Sequence, residues 1–389
     1  MSKTNRSVLM GHSLEARILK ILKILPISQI VLFLWLPANC FATDFRSHPF
    51  LEFDIEGRLS AHSELVDIDR DGDLDIVVAN GRHWPQANMI YLNDGRGRMI
   101  ESFRLGAKNK ASYIVRSGDL DGDGDSDLVV IGDNLPIEVY KNNDGSFDEP
   151  KYLLKSRSYA RGAVLTDLNG DKKVDLVVVP RRGKSRLYFG NGIGSFSDSN
   201  ELPIPVVGAT GVVAGDIDYD GDVDLVAALR DDQSSVLLIN DGKGSFVSKP
   251  LLGSEGDHRQ ALIGEFTNDD YQDIILGDLN GNIKLIVGTP NGSFKQPIII
   301  NDKALFARSL ASGDLDDDGD LDVVVGGDEQ TNFALYNLGN GKFRLVELTT
   351  EANDTYGVSL GDLNNDGLLD IVFSNSESSN VILLNRKNK

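Results

Sequence analysis

The 389-residue chain holds one cysteine, Cys40, so no disulfide within it can stabilise the fold. Other familiar signals are missing too. After residue 43 no amphipathic helix of useful length can be traced. No nucleophile motif, His-Glu-x-x-His metal site or cofactor fingerprint occurs. Basic charge is scarce: 39 Lys and Arg stand against 59 Asp and Glu, a formal charge of −20. Such a surface disfavours nucleic acid and anionic membranes as partners. Stability must therefore come from packing and from whatever the surplus carboxylates bind.

The single long apolar run lies near the start. Lys3, Arg6, Arg17, Lys20 and Lys23 precede the stretch Ile24 to Leu36, and small residues at Cys40 and Ala42 frame a cut after Ala42. This is the layout of a secretory signal peptide over residues 1–42, so the chain is expected to be exported to a periplasmic, cell-surface or extracellular address. An uncleaved segment would be the only membrane contact. Residues 1–42 carry a net +4, which leaves −24 on residues 43–389. Those acids are not spread as on a disordered tail: Val, Ile and Leu are abundant and the carboxylates recur at fixed positions.

Seven acidic loops open at Asp67, Asp119, Asp167, Asp216, Glu265, Asp314 and Asp362, at intervals of 48 to 52 residues. A short apolar strand enters each loop and a β-branched one leaves it, as at Leu74–Ala79, Asp127–Ile131 and Asp322–Val325. A third strand (Met89–Leu92, Val236–Ile239) runs into turns such as Asn93-Asp94-Gly95, and Gly-Ser-Phe (145–147, 194–196, 244–246, 292–294) opens a polar fourth. Four strands per unit at this period predict an all-β fold, a seven-bladed β-propeller of four-stranded antiparallel blades over 43–389. The seventh unit stops after its third strand. The segment His48 to Ile55 reads like a fourth strand, so the N-terminal strand is expected to complete the last blade and close the ring.

The loops read Asp-x-Asp-x-Asp-Gly-x-x-Asp. Three acids at alternate positions before a glycine converge their oxygens, position 7 offers a carbonyl, and the acid at position 9 completes the shell. Hard oxygens in that number suit Ca²⁺ better than Mg²⁺. Without a cation the carboxylates would repel one another. The expected ligand sets are Asp67, Asp69, Asp71, Asp73 and Asp75; Asp119, Asp121, Asp123, Asp125 and Asp127; Asp216, Asp218, Asp220, Asp222 and Asp224; Asp314, Asp316, Asp318, Asp320 and Asp322; and Asp362, Asn364, Asp366, Leu368 and Asp370. The third loop has Asp167, Asn169, Asp171, Lys173 and Asp175, with Lys172 where glycine is expected. About six Ca²⁺ sites follow. The fifth loop, Glu265 to Asp273, lacks the glycine and the second carboxylate, and its binding is left open. An EF-hand is excluded, because loop position 12 is Val78, Val130, Val178, Ala227, Val325 or Phe373 rather than glutamate.

With these motifs the chain resembles the FG-GAP/VCBS repeats, the β-propeller of integrin α-subunits and of many secreted bacterial proteins, over about 47–389. The resemblance implies the fold and calcium, and places the calcium loops opposite the usual binding face. It does not imply an activity, since the same propeller serves adhesins, lectins and some polysaccharide-degrading enzymes.

Six residues before each loop's first ligand stand Ala61, Tyr113, Arg161, Thr210, Arg259, Arg308 and Tyr356. These are expected to ring the channel mouth, with His62, Tyr159, His258 and the loop residues Arg82, His83, Trp84, Arg181, Arg182, Lys184 and Arg230 near by. Arginine forks carboxylate or sulfate and aromatic faces stack on sugars. The bland alternative is that neighbouring acids such as Asp231 and Asp257 neutralise these side chains. Three classes of function stand: a monomeric binding module for a glycan or protein, as in adhesion; a lyase or hydrolase on acidic polysaccharide, with Tyr113 or Tyr356 and His258 as acid and base; and a scaffold in an envelope complex.

Overall fold

A computed structural model describes residues 45–48, 51–290 and 292–386; the signal-like segment 1–42 lies outside them. Among the described residues there is no α-helix, and the strands form antiparallel sheets. Five sheets have four strands, one has six, and Asn142–Asn143 with Ser146–Phe147 makes a small hairpin. The six-stranded sheet combines the second and third repeats. Its strand Asp127–Tyr140 pairs with Ser112–Gly118 through its first half and with Lys151–Thr166 through its second, and the latter strand continues onto Asp175–Pro180. The molecule is a β-propeller.

The second strand of each repeat is the most apolar in sequence and is buried along its length, as Asp75–Asn80 and Asp175–Pro180 are; in the second repeat this holds for the first half of Asp127–Tyr140. Both of its faces are covered, which accounts for its near-continuous Val and Ile. Apolar side chains from successive sheets interlock between them: Val77 and Ile90 pack with Val115 and Leu128, and Leu285 and Ile275 with Val323 and Leu335. One such core joins the two ends of the chain, placing Ile76 and Met89 against Val372 and Ile382.

Strand Glu52–Phe53 pairs with Asn380–Leu383 at the outer edge of the last sheet, in the register Glu52↔Val381. A further bridge links Arg46 to Leu384. The N-terminal segment thus supplies the fourth strand that the seventh repeat lacks.

Candidate functional site

Each acidic loop turns twice through the left-handed region, at positions 4 and 6. Position 6 is Gly72, Gly124, Gly221, Gly319 or Gly367, as the motif requires, but Lys172 and Asp270 adopt the same backbone at φ +64° and +69°. Position 4 needs it as well, and is filled by Arg70, Gly122, Gly170, Tyr219, Asn268, Asp317 and Asn365. Left-handed backbone disfavours most side chains, so hydrogen bonds must hold it. The first acid does so in every loop but the fifth: Oδ2 of Asp67, Asp119, Asp167, Asp216, Asp314 and Asp362 accepts the N–H of position 6.

Position 9 has a structural role in all seven repeats. Asp75 Oδ2 accepts the Ile68 N–H at 3.0 Å, and its Oδ1 accepts the Asn93 N–H at 2.9 Å. The same two bonds recur at Asp127, Asp175, Asp224, Asp273, Asp322 and Asp370. This aspartate ties its own loop to the end of the third strand. Burial pushes its pKa up, to about 6 at Asp75 and Asp224 and about 7 at Asp322 and Asp370, although the backbone N–H bonds oppose the shift.

Several other carboxylate oxygens in the loops have no hydrogen-bond partner. Candidate ligand atoms of Asp67, Asp69 and Asp71 lie within 4.8 Å of one another, as do those of Asp119, Asp121 and Asp127, of Asp216, Asp218 and Asp224, and of Asp314, Asp316 and Asp322. Oδ1 of Asp67, Asp121, Asp216, Asp218 and Asp316 is buried without a hydrogen-bond donor, and so is the amide oxygen of Asn364 in the seventh loop. Orphaned buried oxygens are costly unless a cation meets them, so the donor sets fit Ca²⁺.

Two loops differ. In the fifth, Glu265 Oε1 accepts the N–H groups of Thr267 and Asp269, and the Thr267 hydroxyl donates to Asp273 at 3.1 Å. That loop satisfies itself without an ion. In the second, the Lys141 ammonium contacts Asp121 and reaches Asp123 at 3.1 Å, so a tethered cation already sits on the ligand set.

At the far end of the first strand of each repeat the pairing register slips by one residue. The extra residues are Ala61, Tyr113, Arg161, Thr210, Arg259, Arg308 and Tyr356. A bulge re-aims the side chain it carries, and all seven line one cavity of about 350 Å³. Six residues of strand separate each bulge from its acidic loop, roughly 20 Å of rise, so cavity and loops occupy opposite ends of the sheets.

The cavity is a web of paired charges and rings. Arg161 lies 3.7 Å over the Tyr113 ring and pairs with Asp133 at 3.0 Å. The Tyr113 hydroxyl meets His83 Nε2 at 2.9 Å, and His83 Nδ1 meets Asp133 at 2.9 Å. Burial makes the Tyr113 hydroxyl a weaker acid than an ordinary tyrosine, so it is neutral at neutral pH. Arg308 donates to the Tyr356 hydroxyl at 2.8 Å and pairs with Asp328 and Asp354, while Arg82 lies 4.0 Å over the Tyr356 ring. Arg259 pairs with Asp257 at 2.8 Å. Arg181 also lines the cavity and has no ion pair among the described residues.

Of the residues expected at the mouth, Tyr159, Arg182 and Lys184 line an adjoining groove instead, and two more lie elsewhere. His258 is fully buried, with Nδ1 3.2 Å from Ser235 Oγ, and does not line the cavity. It precedes the bulged Arg259, so the bulge that turns Arg259 inward leaves His258 packed in the sheet. Trp84 is 72% exposed on the loop after Asp75–Asn80 and is not among the cavity residues. His83, from a loop of the first repeat, and Asp133, from the long strand Asp127–Tyr140 of the second, take up the contacts with Tyr113 and Arg161. Only the topology brings them together.

The FG-GAP-like repeat matches the chain in six overlapping stretches, 67–130, 119–178, 167–227, 216–276, 265–325 and 314–373. Mouse cartilage acidic protein 1 is 23% identical over 276 residues, covering 67% of this chain and 39% of that protein. The chain spans well under half the length of the curated relatives it matches. Among solved structures, BBS1N in complex with ARL6DN superposes with a TM-score of 0.61 at 12% identity, covering 89% of this chain and 98% of that one. A lectin from Burkholderia pseudomallei gives 0.60 at 13% identity, covering 84% and 95%. Identities this low speak for the fold alone.

Proposed function

Because this chain belongs to the FG-GAP-like repeat family, we propose that it is an exported, calcium-stabilised binding module whose seven blades close into a ring. Its bulge-lined mouth recognises a glycan or protein. The observation that carries this reading is the convergence of seven register-equivalent side chains on one cavity, in a size range usual for small-ligand sites. The sequence repeats its calcium loops nearly unchanged but varies these seven positions, which is what a recognition surface on a constant scaffold requires. Closure is supported by the outer pairing of Glu52–Phe53 with the last sheet and by the core shared between first and last repeats. Export rests on the character of residues 1–42.

Calcium would be held by the side-chain oxygens at positions 1, 3, 5 and 9 (position 3 being Asn169 and Asn364 in the third and seventh loops) and the carbonyl at position 7 of every loop but the fifth. Bound there, each ion neutralises the clustered carboxylates and fixes the turn. The paired Arg–Asp and Tyr–His groups of the cavity offer adjacent donors and acceptors, a pattern that suits sugar hydroxyls. A glycan array probed with calcium-loaded protein tests the reading. Binding that Arg181→Ala removes, with an unaltered melting temperature, supports it. Binding insensitive to Arg181 and to Tyr356→Phe moves recognition away from the cavity.

The hydrogen-bonded series Asp133, His83, Tyr113 beside Arg161 favours a second reading, a lyase on acidic polysaccharide, with His83 in the role the sequence suggested for His258. New ultraviolet absorbance from an unsaturated product would select it over simple binding.

A further inference from the structure

A second concavity of about 340 Å³ lies beside the central cavity, over the junction of the second and third repeats. It is lined by Arg157, Tyr159, Arg182, Lys184, Arg186 and Tyr188, together with Asn134, Gly183 and the apolar Val178 and Pro180. Four cations in one groove are conspicuous on a chain of charge −20. Their partners differ from those in the cavity. Lys184 pairs with Glu201 at 2.5 Å. Arg157 donates to the Asn134 carbonyl at 3.3 Å and Arg186 to the Ser199 hydroxyl at 3.0 Å, both uncharged acceptors. Among the described residues no carboxylate pairs with Arg157, Arg182 or Arg186. Arg157 and Arg182 are exposed, and Tyr159 presents an aromatic face at 45% exposure.

Groove and cavity are adjoining. Strand Lys151–Thr166 sends Tyr159 to the groove and Arg161 to the cavity; the loop after Asp175–Pro180 sends Arg182 to the groove and Arg181 to the cavity. Asn134 lines the groove next to Asp133, which holds Arg161 and His83.

We infer that this groove is an anion subsite for an acidic oligosaccharide, so that one carbohydrate chain lies across Tyr159 with its charged groups on Arg157, Arg182 and Arg186 and its next residues in the central cavity. The inference rests on the carbohydrate form of the proposed function. Uncompensated guanidinium groups fork carboxylate or sulfate, a tyrosine face packs on a sugar ring, and the internally paired cavity takes hydroxyls. A folded partner protein would bury roughly 800 Å² on this side, whereas these cations are gathered in one concavity of about 340 Å³.

The test is calorimetric titration of the calcium-loaded full chain with an oligogalacturonate, a sulfated heparin-derived oligosaccharide, a neutral cello-oligosaccharide and a single-stranded oligonucleotide. The wild type is expected to bind at least one acidic sugar and to prefer it to the oligonucleotide. The double variant Arg157→Ser, Arg182→Ser should weaken that binding by about tenfold or more, the scale of one lost charged hydrogen bond, at unchanged melting temperature. Uronate-only or sulfate-only binding identifies the anion. Equal or tighter binding of the oligonucleotide overturns the inference, as does acidic-sugar binding that the double variant leaves intact. If the neutral sugar binds and Arg181→Ala removes it while no acidic sugar binds, the cavity reading survives and the groove inference fails.

Discussion

The side-chain amide of Asn93 donates to the backbone carbonyl of Leu363 at 2.8 Å, across 270 residues of chain. The same bond joins neighbouring repeats elsewhere, from Asn142 to Ile68, Asn240 to Leu168, Asn337 to Phe266 and Asn385 to Leu315. Each of these carbonyls belongs to loop position 2, whose N–H is held by the position-9 aspartate. Loop, strand end and adjoining sheet are thereby tied at one residue. The junction between first and last repeats is built as the others are.

Asn93→Ala removes that bond and a second to the Leu74 carbonyl, leaving buried acceptors unpaired. We expect a loss of about 1–3 kcal/mol, read as a lower urea midpoint, and a similar loss for Asn142→Ala. A silent Asn93→Ala beside a costly Asn142→Ala would mean that the terminal junction bears no load.

Lys141→Met should tighten calcium binding at the second loop by roughly fivefold, the scale of one partly exposed ion pair, because the ammonium no longer occupies Asp121 and Asp123. Competition titration against a chromophoric chelator reads it. Unchanged affinity would show that the lysine swings aside at no cost.

His258 supplies a pH dependence. Burial, assisted by the Lys284 charge, pushes it down to about 4, against about 6.5 in an unfolded chain. Between those values the unfolded chain takes up a proton that the folded one refuses. The stability is present above pH 6.5 and is lost as pH falls toward 4, up to about 3 kcal/mol. Denaturation of wild type and His258→Gln at one calcium concentration should show the slope over pH 4–6.5 flattened in the variant; parallel curves would assign the acid lability to other groups.

Much of this was legible in the sequence. The period located the loops, β-branched runs located the buried second strands, and counting back six residues found the bulged positions that line the cavity. What escaped were relations between distant segments. The turn asparagines Asn93 and Asn240 read as local hairpin signals, although their amides serve the next sheet. Asp75 and its equivalents read as ligands alone, because their N–H partners lie 7 and 18 residues away. Position 4 tolerates Arg70 and Tyr219 in a left-handed backbone that no residue type announces. His258 sits one residue before Arg259, and the bulge sends only the latter to the cavity. The cavity arginines were found, but so were acids to pair with most of them, which moves the unpaired positive charge to the groove.

The account stands on carboxylate loops closed by calcium. Its most direct test is native mass spectrometry of chelator-treated protein titrated to millimolar calcium, alongside its melting curve. The prediction is one ion for each loop except the fifth, with Asp318→Ala removing one and Asp269→Ala removing none, and a melting temperature that climbs as the ions load. A folded protein that takes up no calcium at that concentration, or melts identically with and without chelator, would contradict it.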